Sequence, residues 1–243
     1  MVHATVPAGL VSPCVINHLS YQLFYVLAGS GWMEIDMKGG RIVRLRPGAS
    51  VALPPETRFR YRADRPPAGR DLEMLVPVAP RFEADSVAKV EPPSWMSKDA
   101  EPATPMGPAD GIFKGLTALH DYAAPDRSLI WLLASCPLGG LSVAKLQAGS
   151  ASDPVRHQTV TEIWYVLSGF GEIWRVQTSE NHRMVAQSRE STTLRPGMAI
   201  DIPLNTVFQF RADGVEGLTV AIFTSPEWPG TDEAVAVPEA RRW

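Results

Sequence analysis

The sequence predicts an all-β protein made of two antiparallel jelly-roll β-barrels in one chain, and three observations predict it. Short apolar or alternating runs bounded by Gly and Pro recur from end to end, with almost no helical periodicity. The runs are duplicated, Asn17-His-Leu-Ser-Tyr-Gln22 and the strand after it repeating as His157-Gln-Thr-Val-Thr-Glu162 and its strand, each ending in a Gly-x-Gly at Gly29/Gly31 and Gly169/Gly171. A second block confirms the duplication, ten of the twenty positions in 45–64 being identical to those in 194–213, and a third aligns 72–80 with 218–226.

Taken in order, residues 1–13 with Pro7, Gly9 and Pro13 read as a lead-in with one short strand. Strands are expected at 21–28 and 31–37, then after a Gly39-Gly40 turn at 41–46, and after Pro47-Gly48 at 50–53, 58–62 and 72–78. Alternation in 58–62 turns Phe59 and Tyr61 to the core and puts Arg58, Arg60 and Arg62 on an outer, hydrated face. Between 80 and 111 the composition shifts to Pro, Ser, Ala, Asp and Lys, which reads as an irregular linker with Trp95 docked on a barrel. Strands follow at 112–120, 128–135 and 141–146; the segments around 112–135 are expected to complete or cover the first barrel, whose own N-terminus begins too late to do so. The second repeat gives 162–167, 171–177, 183–188, 191–194, 199–202, 207–211 and 218–224, with Gly169 and Gly171 reversing the chain and a longer hairpin tip at 178–182. The tail after Pro226 carries turn signals and is expected to lie over a barrel end. The domains are thus 1–80, a linker 81–111, and 112–243.

Length and composition fit this plan: 243 residues with 45% hydrophobic content can bury two modest cores. A net charge of -3, a pI near 6.0 and interspersed Arg and Asp/Glu leave no electrostatic footprint for nucleic acid. No basic region followed by an apolar run opens the chain, and no apolar stretch approaches the roughly 20 residues that span a bilayer. The expectation is a soluble, cytoplasmic protein with no membrane partner. Cys14 and Cys136 occupy non-equivalent positions outside any CxxC and read as buried free thiols.

The chemistry concentrates where a polar pair meets an apolar strand. Residues 163–167 are all apolar or aromatic, so the strand reads as buried on both sides, with Glu162, Trp164 and Val166 sharing one face. A carboxylate on a tryptophan-bearing inner face is costly unless paired, protonated or ligating. Glu162 reads either as a general acid/base, its pKa raised by Trp164 and Phe208 and its proton shared with His157, or as an inherited hydrogen-bonded pair that fixes the barrel mouth. Gln22 lacks this capacity in the first repeat, where it reads as structural. Trp164, Phe208 and Phe210, like Phe24, Phe59 and Tyr61 in the first repeat, line the interior as core or as the floor of a pocket for a flat or apolar small molecule. His182 reads as a solvated hairpin-tip residue, and His3 and His120 have no partner by spacing.

The run Glu162-Ile-Trp-Tyr-Val-Leu-Ser-Gly169-Phe-Gly171, followed by Leu194-Arg-Pro-Gly197 and Ile202-Pro203, resembles the two motifs of the cupin superfamily. Both repeats resemble cupin domains, the first a degenerate one, so the chain is similar to a bicupin over nearly all its length except linker and tail. Metal-dependent cupins carry His-x-His before the Glu and a third His after the Pro of the second motif. Those positions are Val155, His157, Glu162 and Phe208 in the second repeat and Val15, Asn17, Gln22 and Phe59 in the first, with His18 as the one nearby substitute. A Zn or Fe centre generally needs about three protein ligands, so no cofactor is expected, and a divalent metal would have only His157 and Glu162. The resemblance covers many activities, and the first expectation from the residues is a small-molecule enzyme of cyclase, isomerase or dehydratase type without a full metal centre, using Glu162 and His157 for proton transfer on a substrate held against Trp164 and Phe208. A non-catalytic metabolite-binding or pseudo-enzyme barrel is the alternative, and a metal-dependent dioxygenase ranks third. The expected partners are a small-molecule ligand and, through exposed sheet edges, a second copy in a homodimer.

Overall fold

The computed structural model describes residues 1–37, 40–65, 70–96, 112–178 and 190–243. The Gly39-Gly40 turn, the linker stretch 97–111, the hairpin tip with His182 and the strand expected at 183–188 lie wholly or partly outside them. Among the described residues there is no α-helix, only strands and three short 3-10 turns, and no helix is long and apolar enough to cross a membrane. The chain forms two compact units, one of Met1–Leu116 with Ala134–Leu138, the other of Thr117–Leu133 with Gly139–Trp243.

The first unit holds β1 (Val2–Val6), β2 (Val15–Asn17), β3 (Tyr21–Ala28), β4 (Gly31–Asp36), β5 (Arg41–Leu45), β6 (Ala49–Leu53), β7 (Arg58–Ala63), β8 (Leu72–Val76), β9 (Val78–Ala79), β10 (Val87–Lys89) and β11 (Phe113–Gly115). They form two antiparallel sheets in the orders β1-β8-β3-β6-β11, with β9 on β3, and β10-β2-β7-β4-β5. Inward residues of both sheets, among them Phe24, Met33, Val51, Phe59 and Met74, make one core. β6 is buried along its whole length, because β3 flanks it on one side and β11 on the other. Thus Phe113–Gly115, from the segment expected to complete or cover this barrel, pairs here, whereas Tyr122–Ala123 pairs with Leu129–Ile130 in the second unit.

The arginine row departs from its expected hydration. Arg58 is exposed, but Arg60 is only 4% exposed and donates through Nε to Glu34, itself 2% exposed. Their strands pair in a register that sets Glu34 opposite Arg60 on the sheet face turned away from the core, and Arg62 Nη2 lies 3.9 Å from the same carboxylate. Opposite charges across neighbouring strands neutralise one another, which is what permits burial of that face.

The second unit holds β12 (Tyr122–Ala123), β13 (Leu129–Cys136), β14 (Gly139–Leu146), β15 (Val155–His157), β16 (Thr161–Gln177), β17 (Glu190–Leu194), β18 (Ala199–Ile202), β19 (Thr206–Ser225) and β20 (Ala234–Ala236). The path β12-β13-β14-β19-β15-β20 joins β16, which also binds β17 and β18. Gly169 and Gly171 do not reverse the chain. β16 runs on from Thr161 to Gln177 beside β19, with register shifts at Val166/Ser168 and Gly169/Phe170. The pair of long strands bends at that bulge, which needs the left-handed φ of 81° at Gly169, where a Cβ would stand 1.8 Å from the Gly217 carbonyl oxygen. The corresponding first-unit strands, β3 and β4, are separate and belong to different sheets. Nor is 163–167 buried on both sides: Trp164 and Val166 are buried, while Ile163, Tyr165 and Leu167 are half-buried.

The duplication extends past the third sequence block. After Pro80 the chain forms a 3-10 turn at Ala84–Ser86 and then β10, which pairs with β2; after Pro226 it forms one at Thr231–Glu233 and then β20, which pairs with β15. The tail is therefore a structural counterpart of residues 81–89.

Candidate functional site

His157 ends β15 and Glu162 is the second residue of β16, so the intervening loop sets their approach. In the first unit this loop is closed locally: Asn17 Oδ1 accepts from the amides of Leu19 at 2.9 Å and Ser20 at 2.8 Å. In the second, the matching amides of Thr159 and Val160, together with the Thr159 hydroxyl, donate to Glu233 in the C-terminal segment. Gln158 adds a bond from its side-chain nitrogen to the Asp232 carbonyl. Burial alone would raise the Glu233 carboxyl; the donated backbone N–H groups outweigh it and hold the group below its usual range. Because a carboxylate from the tail closes the loop, the residue at the Asn17 position is released from that duty and can be His157.

Glu162 is 5% exposed and His157 6%. The Trp164 indole donates to Glu162 Oε2 at 2.7 Å, whereas Oε1 stands 3.8 Å from His157 Nδ1, beyond hydrogen-bond range. His157 Nδ1 is buried and without a hydrogen-bond partner. The imidazole packs edge-to-face on Phe208 at 5.2 Å and on Trp228 at 5.4 Å, and Trp164 does the same with Phe208 at 5.6 Å and Phe210 at 4.9 Å. Trp164, Phe208 and Phe210 belong to one buried core cluster. Burial pushes the Glu162 carboxyl up, and the His157 charge and the Trp164 hydrogen bond oppose this only in part.

Three further residues belong to this cup. Asp126 is buried, accepts from the Ser128 amide at 2.9 Å and its hydroxyl at 2.6 Å, and is pushed up by burial. Tyr122 packs against the core cluster; burial first, then the charges of Glu162 and the neighbouring aspartates, push its phenol up to about 12. Trp228 comes from the tail expected over a barrel end. The sequence marks Asp126 only as the head of an Asp-x-Ser turn and Trp228 only as an aromatic between Pro226 and Pro229; Tyr122 carries no local signal.

The donor set does not fit a three-ligand metal centre. Val155 and Phe208 are Cα partners across β15 and β19, both buried and apolar, just as Val15 and Phe59 pair in the first unit. Glu162 gives one oxygen to an indole, and among the described residues no three His, Cys, Asp or Glu side chains gather in ligating geometry. His18 is exposed and bound to Glu56 at 2.9 Å, and His3 meets Glu73 at 3.2 Å. Gln22 is half-buried at the Glu162 position of the first unit. That unit has a separate cleft of about 520 Å³ reaching Cys14, Arg60 and Lys89. Its arginine is engaged with Glu34, and burial pushes the Cys14 thiol up, so no reactive thiolate faces the cleft. Both cysteines are buried.

No protein-family model matches the chain, and no curated protein matches it in sequence. Solved structures do match. Oxalate decarboxylase from Bacillus subtilis superposes with a TM-score of 0.68 at 12% identity, over 97% of this chain and 70% of the other. A formate complex of oxalate decarboxylase from Lactobacillus farciminis gives 0.68 at 13%, over 97% and 78%. A further structure of the Bacillus subtilis enzyme, with its Mn(II) centres, gives 0.67 at 12%, over 97% and 70%. At such identities it is the fold that is shared. With its duplicated sheets and paired motifs, the chain has the bicupin fold, two cupin-type jelly rolls in succession.

Proposed function

We propose that the second barrel is a metal-independent acid–base site for a flat small molecule, of isomerase, cyclase or dehydratase type, with Glu162 as the proton-transfer group and His157 as its partner. One observation carries the reading: a buried carboxyl is fixed through Oε2 by Trp164 while Oε1 faces an imidazole nitrogen that has no other partner. A raised pKa makes the carboxylate form a stronger base and brings it nearer working pH. In an isomerisation, Glu162 takes a proton from a carbon beside the substrate carbonyl, the C–H electron pair becomes a new C=C bond while the C=O π pair moves onto the oxygen, and on collapse of that enol the C=O re-forms, the C=C pair goes to the far carbon and takes the proton back from Glu162. His157 supplies and recovers the compensating proton at the substrate's polar edge, and nothing is oxidised or reduced. The structural neighbours are oxalate decarboxylases, the Bacillus subtilis enzyme with Mn(II) centres, and apolar Val155 and Phe208 at two of the four motif positions support a different chemistry here.

The test is solvent-deuterium incorporation, followed by NMR, with chelator-treated protein and a panel of small unsaturated and carbonyl compounds. The wild type should label a substrate carbon, and Glu162→Gln should lose that labelling by about a hundredfold or more with its melting temperature held. Equal labelling by both proteins would discard the acid–base role. A second reading, a non-catalytic ligand-binding barrel, is favoured by the near-complete burial of Glu162 and His157. It predicts ligand binding without labelling. Light scattering tests the homodimer that accompanies either reading.

A further inference from the structure

The cleft of about 520 Å³ lies wholly within the first unit and has the size of a small-molecule site. Two strips of chain wall it, and both are tied to the sheet. Val11 bridges Arg62, the Ser12 amide donates to the Tyr61 carbonyl at 2.8 Å, and the Ser12 hydroxyl accepts from the Tyr61 amide at 3.0 Å. Past β10, the Val90 amide donates to the Cys14 carbonyl at 3.0 Å. The walls are therefore preformed, and their apolar parts are Val11, Pro13, Val90 and Pro92. Valine and proline suit an aliphatic chain better than a stacked ring. The floor is charged: Cys14 and Arg60 both reach the cleft and are 5% and 4% exposed. On that face of the sheet four arginines, Arg44, Arg58, Arg60 and Arg62, meet three carboxylates, Glu34, Asp36 and Asp64, which leaves one positive charge in excess. The Cys14 thiol lies in that field. Burial pushes it up, and against the burial Arg60 and Arg58 pull it down more strongly than Asp36 and Glu34 push it up. At the rim an exposed ammonium, Lys89, and an exposed carboxylate, Glu91, keep the excess at one, which favours a monoanion over a polyanion.

We infer that this cleft binds a small aliphatic monocarboxylate, its charge held by Lys89 above Arg60 and its chain laid against the valines and prolines of the walls. The site belongs to the first unit alone and is independent of the acid–base chemistry assigned to the second barrel.

NMR titration of the full chain with hexanoate and with hexanamide, its neutral isostere, tests this. Hexanoate should shift the amides of Ser12, Cys14, Val90 and Glu91 and bind about tenfold more tightly than hexanamide, the scale of one hydrogen bond to a charged group. Lys89 is exposed, so its replacement leaves the fold in place. Lys89→Ala should bring hexanoate down to the hexanamide level, while Lys89→Arg retains the preference. Added salt should weaken hexanoate and leave hexanamide unchanged, a readout on the wild-type protein that needs no variant. Hexanamide bound as tightly as hexanoate, unmoved amides at these four positions, a preference that survives Lys89→Ala, or a hexanoate affinity indifferent to salt would each overturn the inference. None of these readouts involves Glu162 or His157, so failure here leaves the acid–base reading of the second barrel standing, and loss of that reading leaves this one.

Discussion

Glu162 is anchored through one oxygen only, and its burial has a consequence for stability as well as chemistry. Burial raises its folded-state pKa above the ordinary 4.5, so between those two values the native protein binds more protons than the unfolded chain. Its contribution is therefore fully present below about 4.5 and is lost as pH rises through the folded value. Asp126, raised from 3.8 by burial, acts in the same direction. Glutamine reproduces the neutral form, so Glu162→Gln should melt at or above the wild type at alkaline pH and flatten this part of the pH profile. Thermal melts from acid to alkaline pH check it; a variant that loses stability more steeply than wild type as pH rises would show that the carboxyl is favoured as an anion. The position of this group was legible in the sequence, since a glutamate on the tryptophan face of an apolar strand has few inexpensive environments. Its companions were not, because Tyr122, Asp126 and Trp228 are brought to it by pairings remote in the chain.

At the level of elements, the two copies close the same loop by different means. Asn17 does so within the first unit, and Glu233 reaches in from the segment between Pro226 and β20 in the second. The Glu233 carboxyl is held low, so its stabilisation is present above about 4.5 and is lost as pH falls through the folded value, opposite in sign to Glu162. Glu233→Ala removes three hydrogen bonds to a charged acceptor and should cost about 2–3 kcal/mol, with faster amide exchange at Thr159 and Val160. Adding His157→Asn to that variant should restore protection of those two amides, since asparagine at the equivalent position caps the same loop in the first unit. Hydrogen exchange of the single and double variants checks this; unprotected amides in the double variant would mean that the loops close by unrelated geometry. The sequence shows the duplication of the strands because alternation and turn residues repeat. It hides the duplication of the closing segments, where backbone pairing rather than side-chain pattern is preserved between Val87–Lys89 and Ala234–Ala236. The bend at Gly169 was misread for a similar reason: a glycine with positive φ serves a bulge inside a long strand as well as a turn.

Across the whole molecule, duplication has kept a scaffold while changing what it carries. Valine faces phenylalanine at the mouth of both barrels, Val15 opposite Phe59 and Val155 opposite Phe208. Apolar residues at both pairs leave the four motif positions of the second barrel with two donors, His157 and Glu162, and those of the first with an asparagine and a glutamine. A ligand that binds only the folded state stabilises it by RT ln(1 + [L]/Kd), about 2.7 kcal/mol at a hundredfold excess over Kd. Glu162 is already engaged by an indole, and among the described residues no three His, Cys, Asp or Glu side chains gather in ligating geometry to lower Kd for Mn(II) or Zn(II). Excess of either ion should therefore leave the melting temperature of the chelator-treated wild type unchanged. Val155→His with Phe208→His would supply the two absent imidazoles on strands already in register. In that double variant the same ions should raise the melting temperature, reversibly with chelator. A rise of similar size in the wild type, abolished by Glu162→Gln, would show that a metal finds further ligands in this cup and would replace the acid–base account with a metal-centred one.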